Sequence, residues 1–163
     1  MSELTLPQLN KFTISNRLKI INKLKKIINP ENVLAENEEM KPYETDALSA
    51  YKQMPLAVIL PENTQEVSLV LKYCNKENIK VIPRGAGTGL SGGALPLQDA
   101  ILLGLGKFNK ILEIDFDNKC VVAQPGVTNL SITHAVQHKG FYYAPDPSSQ
   151  LACSIGGNVA ENS

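Results

Sequence analysis

Five of the chain's eleven glycines lie within nine positions, from Gly85 to Gly93. Glycine tolerates positive φ angles and has no Cβ, so consecutive N–H groups can turn toward one point and a ligand can approach the backbone. The apolar residues 80–83 come directly before these glycines and are predicted to form a strand. A strand that leads into such a loop is a common way to bind phosphate oxygens. Any fold assigned to this chain must accommodate this glycine loop, residues 84–93.

Four explanations of the loop compete. A nucleotide-hydrolysing P-loop would end in Gly-Lys-Ser or Gly-Lys-Thr, and neither is present. Gly87, Gly89 and Gly92 match the dinucleotide-binding pattern G-x-G-x-x-G, and Glu113 resembles its acidic ribose ligand. That pattern requires a helix directly after the loop, which residues 92–96 disfavour because they combine two glycines with a proline. A glycine-rich turn without a ligand and a diphosphate loop that continues as irregular backbone both stay open.

The segments before the loop predict a parallel sheet. Residues 56–60 form a short apolar run closed by Pro61, which is typical of a buried strand. Asn63 followed by Glu66 suits the start of a helix, because their side chains can satisfy free backbone N–H groups. With the strand at residues 80–83 these segments make a β-α-β unit, whose two strands should run parallel.

The second half of the chain predicts antiparallel structure. Residues 111–114 and 120–123 flank a polar turn, as in a β-hairpin. Thr128 can cap a helix that ends before Gly140. With a further strand at residues 100–103, the predicted fold class is α+β, a small parallel α/β lobe followed by the start of an antiparallel lobe.

The N-terminal region, residues 1–50, is predicted to be a helical segment that contains a basic stretch. Six lysines and arginines and no acid lie between residues 11 and 28. Apolar residues recur there at helical spacing, at Leu18, Ile21, Leu24 and Ile28. Such a helix could contact an anionic membrane or act as an organellar presequence. Because acids follow immediately, we expect instead a helix packed on the domain.

Composition narrows the function classes. Sixteen basic residues balance sixteen acidic ones, so no excess of charge favours nucleic-acid binding. Three widely separated cysteines without a CxxC pair predict reduced thiols rather than a metal or disulfide framework. Residues 1–4 do not begin a secretory signal, and no apolar run approaches the length of a membrane span. We therefore expect a soluble, cytoplasmic protein that does not bind nucleic acid.

A second polar cluster follows near the end of the sequence. Residues 143–149 contain two prolines that fix the backbone. Gly156 and Gly157 permit close backbone approach beside the hydroxyl of Ser154. We expect these segments to form a second ligand-facing wall opposite the glycine loop. Residues 159–160 look like the opening of a new element, so the sequence predicts a truncated or split protein.

No catalytic residue and no metal ligand can be assigned from chemistry alone. His134 and His138 share a helical face, but the glutamate of the zincin pattern is absent and both point away from the apolar side. We expect a solvated pair. Residues 43–46, Tyr-Glu-Thr-Asp, are interpreted as an ordinary polar loop.

Three motifs resemble those of the FAD-linked 2-hydroxyacid dehydrogenases. This group of vanillyl-alcohol-oxidase-type (PCMH-type) flavoproteins includes glycolate oxidase D subunits and D-lactate dehydrogenases. The motifs are residues 42–56, residues 83–93, and residues 144–149 with 155–158. The similarity covers nearly the whole chain. It implies a PCMH-type FAD-binding domain at residues 51–163, incomplete at its C-terminus.

The resemblance also implies which residues contact FAD. In the family the first glycine loop binds the diphosphate, and the second cluster lines the facing wall. The residues carried over are Arg84, Gly85, Ala86, Gly87, Thr88, Gly89, Ser91 and Gly92 in the loop, and Pro147, Ser148, Ser149, Ser154, Gly157 and Asn158 in the wall. The loop lacks the histidine to which some relatives attach FAD, so the cofactor is expected to be non-covalent. Ser154 stands where threonine is common, which keeps the hydroxyl.

The activity implied is oxidation of a small 2-hydroxyacid such as glycolate or D-lactate, with hydride passing to FAD. Electrons would continue to electron-transfer subunits or a quinone. The substrate-binding cap of the family is missing from this sequence, so the chain would be active only if another chain supplied the cap and the rest of the FAD domain. A non-catalytic remnant or flavin-binding module is the main alternative, and a nicotinamide-binding Rossmann domain is a third.

Overall fold

The computed structural model describes residues 8–163, so the expectation for residues 1–4 lies outside it. Its strands form a four-stranded sheet and a separate two-stranded hairpin. The strands are β1 Val33–Leu34, β2 Ala57–Ile59, β3 Lys80–Arg84, β4 Ala100–Gly104, β5 Ile111–Asp115 and β6 Cys120–Ala123. The α-helices are α1 Lys11–Ser15, α2 Arg17–Leu24, α3 Asn37–Met40, α4 Thr64–Lys76, α5 Asn129–Val136 and α6 Ile155–Glu161.

The larger sheet has the order β1-β2-β4-β3. Strands β2 and β3 run parallel, as predicted, but each pairs with β4, which lies between them. All five residues of β4 are buried, and such a uniformly buried strand suits the interior of a sheet covered on both faces. The antiparallel edge strand β1 pairs with β2.

Helices α2 and α4 cover one face of this sheet. Ile21 and Leu24 of α2 pack with Val70 of α4 against Ile59 and Ile101. The N-terminal helix is therefore packed on the domain, as expected. One detail of that expectation is wrong: Leu18 faces solvent, because the buried side of α2 is formed by Ile20, Ile21 and Leu24.

The remaining local predictions are confirmed by hydrogen bonds. The Asn63 side chain accepts from the Glu66 N–H at 2.9 Å and begins α4. Strands β5 and β6 form an antiparallel hairpin. Thr128 caps α5, and Gly140 ends the following turn with a φ of 77°.

Within residues 8–163 no helix is long and apolar enough to cross a bilayer.

Candidate cofactor-binding site

The glycine loop leaves the sheet at the end of β3 and continues to β4 without forming a helix. A Rossmann-type site needs a helix whose N-terminus begins directly after the glycines. Glu113, the acidic residue of that interpretation, is exposed on β5 instead. The dinucleotide-binding pattern at Gly87, Gly89 and Gly92 is therefore not part of a Rossmann fold.

The backbone N–H groups of the loop are not used by the rest of the described chain. The last sheet bond here runs from the Leu105 N–H to the Arg84 carbonyl at 2.9 Å. Beyond it, no hydrogen bond found among residues 8–163 has a donor N–H from residues 85–93. The carbonyls of Gly87 and Gly92 do accept bonds, from Ala47 and Leu95. Carbonyls engaged on the protein side and uncommitted N–H groups are what a main-chain anion site requires.

The second wall touches the loop at Gly85. A Cβ built at this position would lie 2.8 Å from Ser154 Oγ and 3.8 Å from the Gly157 Cα. A side chain at residue 85 would therefore force the Ser154 hydroxyl to move from this position. On the other side of the wall, the Gly156 N–H bonds to the Pro125 carbonyl at 2.8 Å. A Cβ on Gly156 would lie 2.6 Å from Pro125 Cβ and 2.9 Å from the Pro125 carbonyl oxygen, so close packing requires glycine at residue 156.

A buried amide pair fixes the position of the second wall. Asn158 Nδ2 donates to Asn129 Oδ1 at 2.6 Å, and Asn129 Nδ2 donates to the Pro145 carbonyl at 3.1 Å. Helix α6, the start of α5 and the proline-containing segment are thereby joined. The Asn158 side chain is used for this bond, so it contributes to the site mainly by holding the wall in place.

Between the loop and the wall lies an open cleft of about 560 Å³. All but two of the residues predicted to contact a cofactor line it, and the two exceptions are Gly92 and Ser148. The structure thus brings together two segments that are about sixty residues apart in sequence. The cleft is also lined by residues that the sequence prediction did not assign to the cofactor, among them Asp46, Leu105, Pro125 and Glu161.

A third segment, residues 43–48, braces the loop from outside. Arg84 Nη1 donates to the Thr45 carbonyl at 2.7 Å, and its guanidinium carbon lies 5.6 Å from the centre of the Tyr43 ring. The Ala47 N–H bonds to the Gly87 carbonyl at 2.9 Å. The segment interpreted from sequence as an ordinary polar loop therefore holds the glycine loop in shape.

The electrostatics of the cleft are dominated by two buried charges. Arg84 is only 9% exposed, and burial lowers the pKa of its guanidinium, while the negative charge of Asp46 acts in the opposite direction. One oxygen of Asp46 accepts from the Leu48 N–H at 2.8 Å, but the other has no partner among the described residues. Because its charge is buried and largely engaged with residues 43–48, Arg84 stabilises the loop more than it attracts a distant anion.

The hydroxyl oxygen of Ser154 is a further candidate for contact with a ligand. Ser154 Oγ is buried and has no hydrogen-bond partner among the described residues, although it lies at the contact between the wall and the loop. Buried hydroxyls are normally satisfied, and an orphan in a cleft indicates a water or ligand partner. The uncommitted N–H groups, the glycine contact and this hydroxyl fit the diphosphate portion of a dinucleotide.

The cleft offers little chemistry of its own. Its ionisable lining residues are Asp46, Arg84, Cys153 and Glu161, and no histidine or tyrosine of the described chain lines it. Within residues 8–163 no cluster of histidine, cysteine or acidic side chains could hold a metal.

A second cavity of about 250 Å³ lies between the hairpin and α5, lined mainly by apolar side chains such as Ile114 and Phe141, and does not reach the loop.

The fold and the cleft together define the class of protein to which this chain belongs. Residues 55–163 match the family model described as an FAD binding domain, and the chain belongs to that family, whose cofactor is FAD. The predicted α+β, PCMH-type fold and the predicted cofactor are confirmed, whereas the nicotinamide-binding alternative is wrong.

Particular relatives narrow the class. The chain is 48% identical over 147 residues to the glycolate oxidase subunit GlcD of Escherichia coli strain K12, which is 90% of this chain and 30% of that protein. It is 38% identical over 144 residues to the D-lactate dehydrogenase of Anaerostipes hadrus, which is 88% of this chain and 30% of that protein. A solved structure of alkyldihydroxyacetonephosphate synthase has a TM-score of 0.79 and 19% identity, and the match covers 99% of this chain and 34% of that one. The chain thus spans 30% of the length of the two sequence relatives.

Proposed function

We propose that this chain is the FAD-binding part of a flavin-dependent 2-hydroxyacid oxidoreductase that acts on glycolate or D-lactate. One observation carries the proposal. The N–H groups of residues 85–93 make no hydrogen bond within the described chain, and all of these residues except Gly92 line a cleft that Ser154 and Gly157 of the second wall also line. The sequence similarity to a glycolate oxidase subunit and a D-lactate dehydrogenase supports the substrate class.

Each group of site residues has its own part in this function. The N–H groups of Gly85 to Gly89 hold the diphosphate, with Thr88 and Ser91 as hydroxyl donors. Ser154 Oγ supplies a further donor, while Pro147, Ser149, Gly157 and Asn158 shape the facing wall. Arg84 lines the cleft and holds the loop through its bond to the Thr45 carbonyl, whereas Gly92 and Ser148 belong to the two segments without lining the cleft. Bound FAD supplies the hydride acceptor, and its attachment is non-covalent because no histidine of the described chain lines the cleft.

Partners and location are parts of the same proposal. The active enzyme also needs the remainder of the FAD domain and a substrate-binding cap, because this chain spans 30% of the length of its relatives. A second chain is the partner that we propose for these parts. Electron-transfer subunits accept the electrons, as the word subunit in the name of the Escherichia coli relative suggests. A cytoplasmic location is supported by the three cysteines, which are all free thiols.

The alternative, a flavin-binding module without activity, is favoured by one feature. The described part of the cleft holds no histidine or tyrosine that could take a proton from a hydroxyacid. Both functions require flavin binding, so the alternative differs only in whether a partner chain restores oxidation.

Titration of the purified chain with FAD and, separately, with NAD tests the proposal. We expect saturable binding of FAD, followed by flavin fluorescence, and no comparable binding of NAD. The variant Gly85→Ala should weaken FAD binding because its Cβ pushes Ser154 away from the loop. Preference for NAD, or no binding of either nucleotide, would contradict the proposal. Glycolate- or D-lactate-dependent flavin reduction after addition of a candidate second chain separates the enzyme from the inactive module.

A further inference from the structure

A second surface, on the N-terminal helices, has features that the cofactor cleft does not use. Helices α1 and α2 are separated only by Asn16, whose backbone N–H still bonds to the carbonyls of Phe12 and Thr13. The helical spacing therefore continues through residues 11–24. Turn bonds from the Lys25 and Lys26 N–H groups to the Ile21 and Lys23 carbonyls extend it to residue 26. Its buried side chains mark the inner side: Thr13, Ile20, Ile21 and Leu24.

The outer side carries two parallel rows of side chains. Residues seven apart lie nearly in line on a helix, because seven residues make about two turns. One row is Phe12, Lys19 and Lys26, and the adjacent row is Lys11, Leu18 and Lys25. All six residues are exposed, with Phe12 at 75% and Leu18 at 73%. We call these two rows, with the neighbouring exposed Lys23, the basic-apolar face.

The charge of this face is uniform. No acidic residue occurs between residues 8 and 30, and no ion pair found among the described residues involves a lysine of the face. Arg17 adds no charge to this face, because its guanidinium donates hydrogen bonds to the carbonyls of Leu56 and Ala35. Asp99, which bonds to the Asn10 N–H at the edge of the region, is buried and paired with Lys80. In a chain of zero net charge, five lysines are therefore concentrated on one surface.

We propose that the basic-apolar face binds the surface of an anionic phospholipid bilayer, with Phe12 and Leu18 entering between the head groups. Two features favour a bilayer over an acidic protein. Phe12 and Leu18 are isolated from each other by lysines and form no continuous apolar patch. A lipid interface accepts such isolated apolar side chains without a complementary pocket. All five cations are lysines, which act as point charges toward a layer of head groups, whereas arginine suits paired recognition of protein carboxylates.

Co-sedimentation with vesicles tests this assignment. The chain should bind vesicles of phosphatidylcholine mixed with phosphatidylglycerol more tightly than vesicles of phosphatidylcholine alone, and added salt should weaken the binding. The triple variant Lys19→Gln, Lys23→Gln, Lys26→Gln should lose about fivefold for each lysine, or roughly a hundredfold in all. The double variant Phe12→Ser, Leu18→Ser should lose about tenfold or more.

A matched control uses lysines of the second lobe. The variant Lys110→Gln, Lys119→Gln, Lys139→Gln makes the same change of charge at exposed positions and should bind vesicles like the wild type. Three results would overturn the proposal: no preference for anionic vesicles, an equal loss in the control variant, or self-association that the Phe12 and Leu18 changes abolish without vesicle binding. FAD titration of the same variants should be unchanged, so this test is independent of the proposed cofactor site.

Discussion

Replacing Gly87 with alanine tests whether Arg84 braces the glycine loop. Gly87 has a φ of 75°, and a side chain in the left-handed region costs about 1–2 kcal/mol. A Cβ at this position would also lie 2.6 Å from Cζ and 2.9 Å from Nε of Arg84. The guanidinium can move away only by giving up its bond to the Thr45 carbonyl, and a hydrogen bond to a charged group contributes about 1.5–3 kcal/mol.

Gly140→Ala is the matched control for this substitution. Gly140 has nearly the same φ, 77°, and nothing lies within 4 Å of the point that an alanine Cβ would occupy. We expect its unfolding free energy to fall by about 1–2 kcal/mol, from the backbone alone. The fall in Gly87→Ala should be about 2.5–5 kcal/mol, because the loss of the Arg84 bond adds to the backbone cost.

Urea unfolding followed by circular dichroism measures both values. FAD affinity should drop in Gly87→Ala and stay unchanged in Gly140→Ala, which lies outside the cleft. Equal losses of unfolding free energy in the two variants would refute the reasoning, since Arg84 would then have moved aside at no cost.

Three further outcomes are expected. Ser154→Ala should leave the stability of the FAD-free chain unchanged or raise it, since the hydroxyl has no partner among the described residues. Its FAD affinity should fall about tenfold, because a hydrogen bond to the cofactor is lost. Unchanged FAD affinity by calorimetry would exclude Ser154 as a donor. Burial raises the pKa of the Cys74 thiol from 9.0 to about 11. Its contribution to stability is therefore complete below pH 9 and is lost as pH rises toward 11, by about 1.4 kcal/mol per pH unit. Cys74→Ala should remove that part of the slope in alkaline urea titrations, and an unchanged slope would contradict it. Finally, in the native protein a thiol reagent should label the exposed Cys120 much faster than Cys74 or Cys153, and equal rates would contradict the burial.

The sequence predicted the local elements because their signals are local. The Asn63 cap, the hairpin at β5 and β6, and the stop at Gly140 each depend on residues a few positions apart. The order of the strands depends on packing between distant segments. The helix that connects β2 to β3 indicates that the two strands run parallel, but nothing in this connection shows that β4 lies between them.

The site was predicted in part for the same reason. Glycine and proline clusters identified the loop and the second wall, and the structure brings both to one cleft. The bracing by residues 43–48 was missed, because the Arg84 side chain reaches a carbonyl thirty-nine positions away. Asp46 was missed because an acidic residue beside a phosphate site opposes the expected charge. Its place is explained by the buried Arg84, whose charge it offsets.

The proposed function depends on contacts between the N–H groups of residues 85–93 and the cofactor diphosphate. Amide hydrogen exchange of this loop, measured residue by residue with and without FAD, tests it most directly. We predict that FAD slows exchange at Gly85, Gly87 and Gly89 far more than in the hairpin. Unchanged exchange in the loop at saturating FAD, or protection confined to β5 and β6, would contradict it.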